Sequence, residues 1–335
     1  MNQKLLSPAR APHRLLQPQH VTDYERNGVV HIKGAVSPSE VNLLRHGIAK
    51  QMERQGESMS SYDFEDMQRQ AFASSAVDLD FGSAERFDID LLKFIVQADP
   101  DARPLRDPLP PLDGAHDEVK TGSFFHDAAG WKFHDEIRKV ACESALPAIA
   151  NGLMRSERTH FWEDTTFVKG PRTPQRTVFH QDWSYFQISG EQCCIVWIAL
   201  DDVDAENGRM EYVRGSHLWG QPFAPNIFFA QSASPISPYE KLPDIEGNRD
   251  DYDIVAFDCA PGDVIVHHVM TVHGSGGNLS ADRTRRAVSF RYCGDDIRYF
   301  DKPGAIEQQY LTTQLENGDP LHGPDYPLVF RSRTQ

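Results

Sequence analysis

The chain has 335 residues, more than an ordinary domain but within reach of one decorated barrel or sandwich, and it can bury about 70–75% of its unfolded surface without disulfide or metal staples. Lys plus Arg number 34 against 49 Asp plus Glu, a net charge of −15 that opposes general nucleic-acid or anionic-membrane binding yet leaves room for a small anion in a local basic pocket. The cysteines (Cys142, Cys193, Cys194, Cys259, Cys293) are odd in number, lack C-x-x-C spacing and mostly sit in apolar runs, so they are expected as reduced core residues of a cytoplasmic protein. No export signal is expected in residues 1–19, and no run of about 18 apolar residues suggests a membrane span.

After a polar arm, the run from Val21 predicts a short helix, a strand at Val29–Lys33 and a second helix. Ser37 caps that helix, Pro38 opens it, Glu40 completes a capping box, and Val41, Leu44, Ile48 and Met52 form its apolar stripe. Residues 55–115 mix acidic residues with a proline-rich close and are expected as an insertion or lid with some helix at Ile89–Gln97. Its Met59, Phe64 and Phe72 serve either a hydrophobic substrate or the anchoring of the insertion. Helical periodicity runs from Asp127 to Asn151, with Phe133, Ile137, Val140 and Ala141 on one side.

From about residue 160 to 295 the pattern changes to at least seven short strands separated by turns such as ENG, PGD and GSGGN. Strands without intervening helices predict an antiparallel jelly-roll core. The expected fold is mainly β with flanking helices (α+β), one domain over 1–335, buttressed by its N-terminal helices.

His180 and Asp182 stand two apart in a strand-like segment, so both side chains can aim at one ion, and His273 ends the strand-like run VIVHHVMTVH. Two imidazoles and a carboxylate leave open positions on Fe(II), whereas zinc usually takes tetrahedral histidine or cysteine sets. Beyond His273 lie Arg283, Arg285, Arg286 and Arg291. In a strand, Arg285, Ala287, Ser289 and Arg291 share one face, where small residues leave room for a ligand whose carboxylate Arg285 can grip. Arg286 is expected as a solvated charge, and the sequence does not decide for Arg291.

HQD at 180–182, ENG followed by GSH, and HGS followed by Asn278 and RRA together resemble the phytanoyl-CoA dioxygenase family of Fe(II)- and 2-oxoglutarate-dependent oxygenases. The resemblance implies a double-stranded β-helix, cupin-like in form, with His180, Asp182 and His273 as iron ligands. It implies Arg285 as the 2-oxoglutarate arginine, with Arg283 and Arg286 as fallbacks because the spacing is one residue longer than usual. Trp197 resembles a residue lining the cosubstrate site, with core packing as the alternative; Thr165 sits where another contact falls, and Ser289 lies on the Arg285 face. The implied reaction consumes 2-oxoglutarate and O2, releases succinate and CO2, and hydroxylates a small organic molecule; desaturation, epimerisation or ring closure begins the same way. Asp182 argues against halogenation, since the related halogenases carry Gly or Ala there. A non-catalytic ligand-binding barrel is the reading from another class. Oligomeric state is not legible.

Among the remaining polar and aromatic residues, His267 and His268 are expected as structural, with His268 facing away from the triad. His217 is expected to support a loop, Asn278 to stabilise the turn after His273, and Trp183, Tyr185 and Phe186 to pack, with Trp183 and Tyr185 opposite Asp182.

Overall fold

Gly28 stops the first helix. The computed structural model describes residues 15–54, 62–72, 96, 99, 102–111, 122–227, 230–233, 237–302 and 310–332. In it α1 (Pro18–Asn27) ends at Gly28, whose φ of 74° lies in the left-handed region and whose missing side chain makes room for the His217 ring. After β1 (Val29–Ile32), α2 (Pro38–Glu53) starts in the expected capping box: Ser37 Oγ accepts from Glu40 N, and Glu40 Oε2 accepts from Ser37 N at 2.8 Å. Val41, Leu44 and Ile48 are buried, whereas Met52 is 38% exposed because it lies in the last turn before the Arg54 cap.

Short elements follow: β2 (Tyr62–Asp63), α3 (Phe64–Ala71) and β3 (Phe124–Ala128). The single helix expected over 127–151 is instead the end of β3 plus α4 (Gly130–Phe133), α5 (Asp135–Glu143) and α6 (Leu146–Met154). His134 adopts an extended conformation that breaks the helical phase, so Phe133 is 64% exposed while Ile137, Val140 and Ala141 are buried. Within 55–115, Arg103–Pro104 pairs with Ala230–Ala233, and Phe72 is half-buried. Met59 and, Val96 apart, the helix expected at Ile89–Gln97 lie outside the described residues.

The remaining strands of the two main sheets are β4 (Arg158–Lys169), β5 (Thr177–His180), β6 (Cys193–Ala199), β7 (Met210–Val213), β8 (Ile254–Ala256), β9 (Val264–His268), β10 (His273–Ser275), β11 (Arg285–Cys293) and β12 (Leu328–Arg331). The larger sheet runs β1-β9-β6-β11-β4-β3-β2, with β12 also on β4, and the smaller runs β8-β7-β10-β5. Every pairing in both is antiparallel, giving the jelly roll expected from the strand pattern.

Alternation assigns the two faces of the larger sheet. Val196, Ile198, Val264, Val266, Val288 and Phe290 pack outward against Val41, Leu44, Ile48, Ile137, Val140 and Ile149 of the helices. Trp197, Ala199, Ile265 and Ala287 face inward, against Met210 and Tyr212 of the smaller sheet. Each fully buried aliphatic or aromatic side chain contributes about 1.5–3 kcal/mol, so the helix layer and the space between the sheets are separately stabilised without a metal. No helix among the described residues is long and apolar enough to cross a membrane.

Candidate metal centre and cosubstrate pocket

β5 ends at His180, and Asp182–Tyr185 then forms a 3-10 turn. His180 and Asp182 converge because the chain bends between them, not through alternation along one strand, and the expected opposition of Tyr185 to Asp182 fails for the same reason. Tyr185 instead sets its ring edge-on to His180 at 5.6 Å and donates its hydroxyl to Asn226 O at 2.5 Å. His273 likewise does not close β9. The chain leaves the larger sheet after His268 and enters the smaller one at β10, where His273 pairs directly with both His180 and Tyr212.

Proton positions follow from the partners. His180 Nδ1 lies 2.8 Å from Val178 O and His273 Nδ1 lies 2.9 Å from Thr271 O. A carbonyl only accepts, so each Nδ1 carries the proton and each Nε2 keeps a lone pair on the side of Asp182. Asp182 Oδ1 stands 3.4 Å from His180 Nε2 and 3.8 Å from His273 Nε2. The three donor atoms lie within 4.8 Å of one another, and all three residues are buried. Three converging lone pairs with no hydrogen of their own to share make a cation site, and two imidazoles with one carboxylate suit a divalent transition metal. Burial, reinforced by His180 and His267, keeps the His273 ring neutral, the form that ligates.

Next to this cluster, the inward face of β11 meets β4 and β6 in register: Arg285 opposite Lys169, Ser289 opposite Thr165 and Trp197, Arg291 opposite Glu163. Arg285 is 2% exposed, its guanidinium sits 5.7 Å from the Trp197 ring, and one Nη donates to Gly208 O at 3.1 Å. Its Nε and the Tyr212 hydroxyl are buried without hydrogen-bond partners among the described residues. Burial pulls the Arg285 pKa down to about 10. Lys169 is fully buried and, among the described residues, donates to Gln175 O, Ser275 Oγ and Gly276 O, with burial, Arg285 and Arg176 lowering its pKa strongly. Two neighbouring buried basic side chains without a carboxylate contact among the described residues fit a place built for an anion.

Arg283 and Arg286 do not enter this pocket. Arg283 pairs with Asp204 and Glu206; Arg286, expected as a solvated charge, forms a two-pronged ion pair with Asp201 at 2.6 and 2.9 Å. Thr165 Oγ1 accepts from Arg291 at 2.6 Å, so its hydroxyl is already engaged, and Ser289 is 4% exposed beside Trp197.

The sequence profile described as phytanoyl-CoA dioxygenase (PhyH) matches residues 24–287, which span the metal cluster and Arg285. The chain belongs to the phytanoyl-CoA dioxygenase family. It is 26% identical over 143 residues to a probable phytanoyl-CoA dioxygenase from Caenorhabditis elegans, covering 42% of this chain and 44% of that protein. The chain thus spans less than half the length of that curated relative. Among solved structures it is similar to the non-heme alpha-ketoglutarate-dependent carbocyclase SnoK from nogalamycin biosynthesis, at TM-score 0.60 and 23% identity over 94% of this chain and 97% of that one. The epimerase SnoN from the same biosynthesis follows at TM-score 0.57 and 20% identity, over 93% and 98%. These likenesses establish the shared fold, and the family's iron, 2-oxoglutarate and O2 are the cofactor set the sequence led one to expect.

Other residues of this family member fall as follows. His268 faces α1, 6.2 Å from the Tyr24 ring, and His217 Nε2 bonds Glu25 O at 3.0 Å, so both brace the helix layer. Asn278 Nδ2 donates to Lys169 O and Arg283 O, tying down the turn after His273. Arg291, undecided from sequence, is buried with its guanidinium 4.7 Å from the Phe186 ring. Sequence reasoning missed Tyr212, whose ring stacks on His273 at 5.7 Å, and Lys169. Their inward register was the only available signal, and it needs the strand pairing. It also set His267 aside, although His267 Nε2 lies 3.3 Å from Asp182 Oδ2.

Proposed function

We propose that the chain is an Fe(II)- and 2-oxoglutarate-dependent dioxygenase that hydroxylates an unactivated C–H bond of a small organic substrate in the cytoplasm, releasing succinate and CO2. The observation that carries this reading is the convergence of His180, Asp182 and His273 between the two sheets, where Tyr212 stacks on His273 and Arg285 is buried and underpaired on the inward face of β11. His180, Asp182 and His273 hold the metal; Arg285 binds the cosubstrate's distal carboxylate, with Trp197 flanking it and Ser289 and Thr165 beside them on the inward face of the larger sheet. Bound iron with 2-oxoglutarate and O2 supplies the oxidant that cleaves the C–H bond. The chain's own work is to orient the ligands through the Val178 and Thr271 carbonyls, to neutralise the cosubstrate, and to exclude water by burial. The segment 55–115 is read as the lid or insertion that selects substrate, over a jelly-roll core at 160–295.

Incubation with Fe(II), ascorbate and 2-oxoglutarate is expected to yield succinate, slowly without substrate, and His180→Ala or Asp182→Ala to abolish it in a folded protein. Absence of both 2-oxoglutarate binding and turnover in the unmodified protein refutes the reading. SnoK is a carbocyclase and SnoN an epimerase, which supports keeping ring closure, desaturation and epimerisation as outcomes of the same start. Product mass separates hydroxylation (plus one oxygen) and epimerisation (unchanged) from desaturation and oxidative ring closure, each of which removes two hydrogens.

A further inference from the structure

We propose, resting on the reading of His180, Asp182 and His273 as metal ligands, that His267 is a positioning residue that dedicates one oxygen of Asp182 to the metal by holding the other. His267 is 1% exposed and is the penultimate residue of β9, paired with Ile195 of β6 and Val29 of β1. Its ring centroid lies 4.3 Å from that of His273 and 5.2 Å from that of Tyr212, so its orientation is constrained on two sides.

The proton arrangement is the reverse of that in the two ligand histidines. Here Nδ1 is buried without a hydrogen-bond partner among the described residues, while Nε2 faces Asp182 Oδ2 at 3.3 Å, at the long end for an N–H···O bond. Nε2 therefore carries the proton and donates to Oδ2, leaving Oδ1 as the carboxylate oxygen that faces His180 and His273. A carboxylate with one oxygen held in this way binds a metal through the other and keeps the adjacent coordination position clear for a chelating cosubstrate. Hydrogen-bond partners of metal-ligating carboxylates commonly change metal affinity 10–100-fold when removed.

The test is anaerobic titration of the full chain with Co(II), followed by calorimetry and by the visible ligand-field absorption, alongside thermal melting of each metal-free protein. His267→Phe fills the space but cannot donate; its Co(II) Kd is expected to rise about 10–100-fold, with altered ligand-field bands. His267→Gln places an amide N–H near the Nε2 position and is expected to restore affinity to within about three-fold. If the Phe protein does not fold, His267→Asn, whose amide stops short of Asp182, carries the same expectation of loss. Packing alone would give the opposite order, with Phe tolerated and Gln impaired. Co(II) affinity unchanged in a folded Phe or Asn variant overturns the proposal while leaving the metal centre standing. Binding that is indifferent to Asp182→Ala overturns the metal-centre reading and this proposal with it.

Discussion

Asp164 offers the sharpest test of how burial sets this protein's response to pH. It lies on β4 with no exposed surface; Oδ1 accepts from Trp131 N at 2.8 Å, and Oδ2 has no hydrogen-bond partner among the described residues. Burial raises its pKa to about 7, Glu163 and Asp127 add to the rise, and the Trp131 N–H and Arg291 oppose it. The unfolded chain releases this proton near pH 3.9, so between about pH 4 and 7 the folded state binds more protons and stability falls as pH rises. The stabilisation is complete below about pH 4 and lost above about pH 7; a rise of about 3 pKa units at 1.36 kcal/mol each makes the swing roughly 4 kcal/mol. Asp164→Asn keeps the acceptor for Trp131 and removes the titration. Urea unfolding of both metal-free proteins from pH 4 to 8 is expected to show the Asn variant gaining up to roughly 4 kcal/mol on the parent across that range. The histidines titrate in both proteins and cancel in the difference. A difference that stays flat with pH, or an Asn variant that loses ground towards pH 8, refutes the assignment.

Two further outcomes are expected. Chelation with EDTA is expected to leave far-ultraviolet circular dichroism nearly unchanged, because the apolar clusters on both faces of the larger sheet form without the metal, while saturating metal at 100 times its Kd raises stability by about 2.7 kcal/mol. Gly208 has φ of 86°, and an added Cβ would come within 2.7 Å of Gly276 O, so Gly208→Ala is expected to cost about 1–3 kcal/mol in denaturant melts. Because Gly208 O also accepts from Arg285, that variant is expected to weaken 2-oxoglutarate binding, measurable by calorimetry.

Much of the scaffold was legible residue by residue. The Ser37–Glu40 capping box, the alternation of β11 and the punctuating turns are local features, determined by side-chain period and short-range hydrogen bonds that need no partner strand. Where local reading failed, a bend or a change of sheet intervened. His134 breaks one helical pattern into pieces, and a turn after His180 replaces strand alternation through Asp182.

The sequence by itself determined which residue types could meet, two imidazoles and a carboxylate ahead of an arginine cluster, and that the family's chemistry was within their reach. Only the tertiary structure decided which arginine turns inward. Arg285 lies opposite Lys169 with no carboxylate contact among the described residues, while Asp204, Glu206 and Asp201 take Arg283 and Arg286. It also brought His267 to Asp182, because the chain changes sheets between His268 and His273 and thereby cancels any offset counted along one strand. Periodicity assigns a face within an element, but burial, ion pairing and the crossing between sheets depend on which strands become neighbours, and that is settled only when the whole chain packs.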